Sequence, residues 1–112
     1  MDAAPRADRS ITAAALLERI DRGERMCILD VRSEREFAAG HVPGAVNVPF
    51  TKVLSGRADI PGNAGDEVIV YCGHGPRAYM ASAALRRRGR RRILYLRGHW
   101  AAWQNAGLRV ER

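Results

Sequence analysis

The stretch Val68-Ile69-Val70-Tyr71-Cys72-Gly73-His74-Gly75-Pro76-Arg77-Ala78-Tyr79-Met80-Ala81-Ser82-Ala83-Ala84-Leu85 decides the reading of this 112-residue chain. Val68 to Tyr71 is a short continuous apolar run, the pattern of a strand buried on both faces, and Arg77 to Arg88 reads as a helix. A cysteine therefore sits where a buried strand turns into a helix. Gly73 and Gly75 let the intervening backbone curl, so that successive amide N–H groups can point at whatever the sulfur carries, and the helix start adds partial positive charge. Such surroundings favour thiolate over thiol and make Cys72 a candidate nucleophile; an inert structural thiol would be flanked by packing residues rather than glycines.

The same alternation extends to either side. Upstream, Thr12 is placed to cap a helix from Ala13 to Asp21, Met26 to Val31 reads as another buried strand, and Ser33 with Glu36 forms a capping-box pattern for a short helix ending at Gly40. Arg32 and Glu36, four residues apart, are placed to pair. His41-Val42-Pro43-Gly44 reads as a turn before a short strand, Ala45 to Val48, and a short helix is expected near Thr51 to Leu54. Downstream, Ile93 to Leu96 is a strand and His99 to Ala106 a final helix stopped by Gly107. Strands alternating with helices in this way imply an α/β fold with a parallel sheet and helices on both faces, in which ligands sit beyond the carboxyl ends of the strands. Cys72 lies at such an end.

Composition bounds the function. Hydrophobic residues make up 46% and charged residues 28%, as in an ordinary globular domain, so one domain over 11–112 is expected, preceded by a flexible start over 1–10. No apolar stretch approaches the ~20 residues of a membrane span and no secretory pattern opens the chain, so the expected compartment is the cytoplasm, with no membrane partner. Cys27 falls inside a strand-like run and reads as a small buried hydrophobe. The formal charge is +7, and eighteen of the nineteen basic residues are arginine, which suggests coding bias more than selection for one binding face. The Arg86–Arg92 run could attract nucleic acid, but no aromatic residues interleave to stack bases. It reads better as a helix end closed by arginines, a stop at Gly89, and a solvated turn. Nucleic acid is therefore not the expected partner.

Leu29-Asp30-Val31-Arg32, Glu36-Phe37, Gly40-His41-Val42-Pro43-Gly44-Ala45, Tyr71-Cys72 through Arg77-Ala78, and Leu96-Arg97-Gly98 with Trp103 and Ala106-Gly107-Leu108 together resemble the rhodanese-like sulfurtransferase family. The resemblance spans about Ile11 to Glu111. It implies a small parallel sheet of about five strands, a Cys72 that takes a sulfane sulfur as a persulfide, and transfer of that sulfur to a thiol or to cyanide. Thiosulfate is the expected type of small-molecule donor, a sulfur-relay protein is a possible partner, and neither cofactor nor metal is called for. By the same resemblance Gly73, His74, Gly75, Pro76 and Arg77 form the persulfide-binding loop. Gly73, His74 and Gly75 would supply amide donors, and Arg77 would either hold a negative substrate or brace the loop through its carbonyls.

Four residues separate Cys72 from Arg77, whereas cysteine phosphatases place one more, as a phosphate's three oxygens need a wider ring of amides than one sulfur. That spacing disfavours a phosphatase. An accessory module that docks on a partner without catalysis would be marked by a missing cysteine or a ruined loop, and neither is seen. Two departures from the family pattern stand out. Pro76 has no N–H to offer the loop but suits the first turn of a helix, and Gly98-His99 replaces a usual pair of glycines. His99 is expected either to line the pocket mouth or to face solvent at a helix start. His74 is expected over the pocket or in water, His41 as a structural hydrogen-bonding histidine, and Asp30 as a site-edge carboxylate or a buried partner of an arginine.

Overall fold

The computed structural model describes residues 9–112, so most of the expected flexible start lies outside the described residues. Its elements are β1 (Ser10–Ile11), α1 (Ala13–Asp21), β2 (Cys27–Asp30), α2 (Glu34–Ala39), β3 (Val46–Asn47), α3 (Phe50–Ser55), β4 (Val68–Tyr71), α4 (Pro76–Arg87), β5 (Ile93–Leu96) and α5 (His99–Asn105). The five strands form one sheet in the order β1-β5-β4-β2-β3, every pair parallel. Ser10, read as part of the flexible start, belongs to β1. This two-residue edge strand pairs with Tyr95 and Leu96 and is too short to show a period in the sequence.

The alternation of side chains along the central strands divides the core. Leu29, Val31, Val68, Val70, Ile93 and Tyr95 face α3 and α4, packing on Val53, Ala78, Ala81 and Leu85. Ile28, Ile69, Tyr71 and Leu96 face the opposite way, onto Leu16 of α1 and Trp100 and Trp103 of α5. Because both faces of β2 and β4 are covered, these strands read as unbroken apolar runs. Small residues on the inner side of α4 allow that helix to lie close to the sheet, which brings the start of the helix over the end of β4.

At the carboxyl edge of β2, Asp30 and Arg32 form a buried ion pair, with Arg32 Nη2 2.7 Å from Asp30 Oδ2 and the Arg32 backbone N–H donating to Asp30 Oδ1 at 2.9 Å. The expected Arg32–Glu36 pair is not formed. Asp30 ends its strand and Arg32 lies in the turn, so the two side chains fold onto each other, and Arg32 Nη2 also donates to the Gly40 carbonyl at 2.7 Å. Its guanidinium lies over the Trp100 ring at 4.6 Å from the centroid and near Tyr71 at 5.6 Å. Tyr71 Oη in turn accepts from the Val42 N–H at 3.1 Å, and burial pushes the phenol pKa up. His41 stacks on Phe37 with ring centroids 3.6 Å apart, and its Nδ1 lies 2.8 Å from the Phe37 carbonyl, the structural role expected of it.

The solvated-turn reading of the arginine run is corrected at Arg90, which is buried. Arg88 donates to the Ala58 carbonyl at 2.7 Å, and the buried Arg90 spans the carbonyls of Ile60, Pro61 and Gly62 at 2.9, 3.0 and 3.1 Å. Arg92 reaches the Gly65 carbonyl at 3.5 Å. Alternate arginines thus tie down the connection that precedes β4, whose own sequence carries little structural signal. Arg86, Arg87, Arg88, Arg91 and Arg92 are all exposed, and Arg90 alone of the run is buried. Arg90→Ala is expected to lower stability by about 2 kcal/mol, because three carbonyls lose a charged donor, whereas Arg87→Ala should stay within about 0.5 kcal/mol. Arg32→Met, which strands the buried Asp30 carboxylate, should cost about 3–5 kcal/mol. Urea unfolding followed by tryptophan fluorescence measures all three.

Candidate active site

Strand β4 ends at Tyr71 and delivers Cys72 to the carboxyl edge of the sheet, on the α4 side of the core. The sulfur is not exposed: Cys72 has no accessible surface. The Gly75 N–H closes over it and donates to Cys72 Sγ at 2.9 Å. Gly75 has φ +135°, a conformation that a side chain makes strained, and an added Cβ would lie 3.2–3.3 Å from the Tyr79 ring and hydroxyl. Pro76 then opens α4, where its fixed φ fits and its missing N–H leaves no helical bond unmade.

The loop is held from two further sides. Helix α5 offers its first N–H groups to the loop carbonyls, Trp100 N–H to Cys72 at 2.9 Å and Ala101 N–H to Gly73 at 3.3 Å. Arg77, four residues past the first glycine, swings back so that its Nη2 would lie 3.1 Å from a Cβ on Gly73. Its guanidinium is gripped by Glu36, with Nη1–Oε1 at 2.7 Å and Nη2–Oε2 at 3.1 Å. That carboxylate pushes the Arg77 pKa up, with a smaller contribution from neighbouring Cys72. Reciprocally, Arg77 first and the Ser33 cap second hold Glu36 down at about 2. The capping box of α2 is realised, with Ser33 N–H donating to Glu36 Oε1 at 3.0 Å, so one carboxylate both starts a helix and orients the arginine of the loop.

His99 is 3% exposed, which corrects the solvent-facing alternative. Its Nδ1 accepts from the Cys72 N–H at 3.3 Å and its Nε2 lies 3.5 Å from Tyr79 Oη. It is the one non-glycine residue with positive φ among the described residues, at +58°. Burial first, and the charge of His74 second, lower its pKa to about 4. His74 itself is exposed on the outer side of the loop, as is Pro76.

The structure therefore gathers Cys72, Gly73, Gly75, Arg77 and His99, and leaves His74 at the rim. Glu36, Trp100 and Tyr79 escaped the sequence reading. Glu36 sits within a quoted motif, but its partner lies 41 positions away and only the fold reveals it. Tyr79 follows Gly75 by one helical turn, a spacing equally suited to an ordinary surface residue.

Cys27 lies in the core, where burial raises its thiol pKa. It pairs in register with Val68, so Cys72 lies four positions further along the sheet. At a rise of ~3.3 Å per residue that is about 13 Å. A disulfide requires Cα atoms within roughly 7 Å, so the two thiols cannot join. Among the described residues no cluster of three or more His, Cys, Asp and Glu side chains is suited to a metal, and no helix is long and apolar enough to cross a membrane.

The family description "Rhodanese-like domain" matches residues 12–106. Over 100 residues the chain is 33% identical to a sulfurtransferase of Allochromatium vinosum, covering 89% of this chain and 92% of that protein. It is also 36% identical over 104 residues to an HTH-type transcriptional regulator of Mycobacterium tuberculosis, covering 91% of this chain but 44% of the regulator. The crystal structure of the Alr3790 protein from Anabaena sp. superposes with a TM-score of 0.80 at 30% identity, covering 90% of this chain and 81% of the other. With its five-stranded parallel sheet, its cysteine loop at the strand end and a family match over most of its length, this chain belongs to the rhodanese-like domain family.

Proposed function

We propose that the chain is a sulfurtransferase in which Cys72 carries the sulfur. The Cys72 thiolate attacks the outer sulfur of thiosulfate, forming a Cys72–S–S⁻ persulfide as the S–S bond of the donor breaks and its electron pair leaves with sulfite. A thiolate or cyanide then attacks the outer persulfide sulfur and returns Cys72 as thiolate. Neither step consumes an oxidant or a cofactor.

The observation that carries this reading is the Gly75 N–H aimed at Cys72 Sγ at 2.9 Å, within a loop of four residues closed by Arg77. Such a ring offers main-chain donors to one anionic sulfur, in the manner of an oxyanion hole. Gly73 and His74 would add their amides once the outer sulfur is in place. Arg77, neutralised on one side by Glu36, holds loop shape and keeps positive potential over an incoming anion. Since the thiol is buried, a donor reaches it when the segment around Gly75 gives way, and glycine is the residue with the freedom to do so. A reducing compartment such as the cytoplasm would keep both cysteines as thiols between turnovers.

A second reading, an accessory module serving a larger assembly, draws on the Mycobacterium tuberculosis regulator, in which the matching region is under half of the protein. Chemistry at the cysteine separates the two.

Intact-mass measurement after thiosulfate treatment should show a gain of about 32 Da, one sulfur atom, reversed by cyanide and absent in Cys72→Ala. Wild-type protein that gains no sulfur from thiosulfate, mercaptopyruvate or a desulfurase would refute the sulfurtransferase reading. For the Arg77–Glu36 brace, Glu36→Gln provides the test. The Glu36 pKa falls from an ordinary 4.5 when unfolded to about 2 when folded, so its contribution to stability is complete above about pH 4.5 and is lost as pH falls through about 2. The stability gap between wild type and Glu36→Gln should therefore be widest above pH 4.5 and close towards pH 2, as read from urea midpoints across that range.

A further inference from the structure

Two backbone positions of the loop give the sulfur no donor. Pro76 has no N–H, and the Cys72 N–H is turned away from the sulfur to serve His99 Nδ1 at 3.3 Å. The same contact settles the state of the imidazole. A ring nitrogen that accepts cannot carry a proton, so a neutral His99 bears its proton on Nε2, and burial keeps the ring neutral near pH 7. Nε2 lies 3.5 Å from Tyr79 Oη, so its N–H donates to the phenol oxygen. The phenol's own proton is thereby directed away from His99 and remains available.

That phenol lies against the cysteine loop. Tyr79 Oη would lie 3.3 Å from a Cβ on Gly75, the residue whose N–H touches Sγ. The ring is fixed edge-on between His99, with centroids 5.6 Å apart, and Tyr95, at 5.0 Å, while one edge stays open to solvent. Tyr95 cannot play the same part, because its hydroxyl is engaged with Ser82 Oγ at 2.5 Å.

We infer that Tyr79 donates a hydrogen bond to the sulfonate oxygens of the sulfur donor as sulfite departs, and that His99 is the positioning residue that aims it. The inference rests on the sulfur-transfer reading above and assigns to that reaction a specificity for donors whose leaving group is an oxyanion. In loading, the bond between the two sulfurs of thiosulfate breaks and negative charge accumulates on the sulfite oxygens, where a phenol O–H is useful. In unloading by a thiol, the leaving group is the Cys72 thiolate, and no oxyanion is present for Tyr79 to meet.

The two half-reactions therefore separate the roles. Single-turnover loading by thiosulfate and unloading by dithiothreitol are followed by intact mass on wild type, Tyr79→Phe, His99→Gly and the double variant. Tyr79→Phe should slow loading about tenfold relative to unloading, the scale of one hydrogen bond to a charged group. His99→Gly, which also relieves a positive φ, should shift the same ratio in the same direction, and the double variant should fall no further than Tyr79→Phe alone. A loading-to-unloading ratio in Tyr79→Phe within about threefold of wild type, or full additivity of the two substitutions, would overturn the inference and leave the sulfurtransferase intact. Wild type that never loads would instead remove the reading on which it rests.

Discussion

The Asp30–Arg32 ion pair is the constraint on which the site depends. It lies at the end of β2, and Asp30 is in register with Tyr71, the residue before Cys72. Arg32 spreads over Trp100, and Trp100 uses its N–H to hold the Cys72 carbonyl. A charge taken out of water is tolerated only with its partner and its hydrogen bonds in place. Two strand ends, the turn at Gly40 and the start of α5 are therefore tied to one arrangement, and the cysteine loop hangs from that arrangement. Hydrophobic packing alone would fix the sheet but would leave its edge free to adjust.

Around this anchor the loop is braced through its ends rather than its middle. Helix α5 takes the carbonyls of Cys72 and Gly73, α4 begins at Pro76, and Arg77 is clamped by a carboxylate that is already committed to starting α2. The glycines between remain unbraced by side chains of their own. The ends of the loop are therefore fixed, while its middle keeps the backbone freedom of glycine. One ordinary helix cap thus becomes part of the frame, because the Glu36 carboxylate has oxygens enough for both Ser33 and Arg77.

Much of this was legible in the sequence where the signal is local. The strand at 68–71, the helix that follows Cys72 and the capping box at Ser33 follow from periodicity and cap chemistry, and the motifs around Cys72 point to the family. What escaped needed the third dimension. Arg32 takes a partner two positions away because a strand end folds back, where helical spacing pointed to Glu36. Arg77 finds Glu36 across the sheet edge, and Arg90, one charge in a run of six, turns inward to a loop that the sequence leaves indistinct. The buried setting of His99 depends on the Cys72 backbone and the Tyr79 side chain meeting it from two other elements, which no single segment encodes.

The wide spacing of the two cysteines along the sheet has its own consequence. Many proteins with a reactive sulfur keep a second thiol within reach and can discharge themselves by closing a ring. Here the distal thiol is walled into the core at the far end of the strands, so a sulfur carried on Cys72, as proposed above, would have no internal exit. Under that proposal its lifetime would be set by whichever external molecule comes to collect it, and the protein would act as a holder of its cargo rather than a timer.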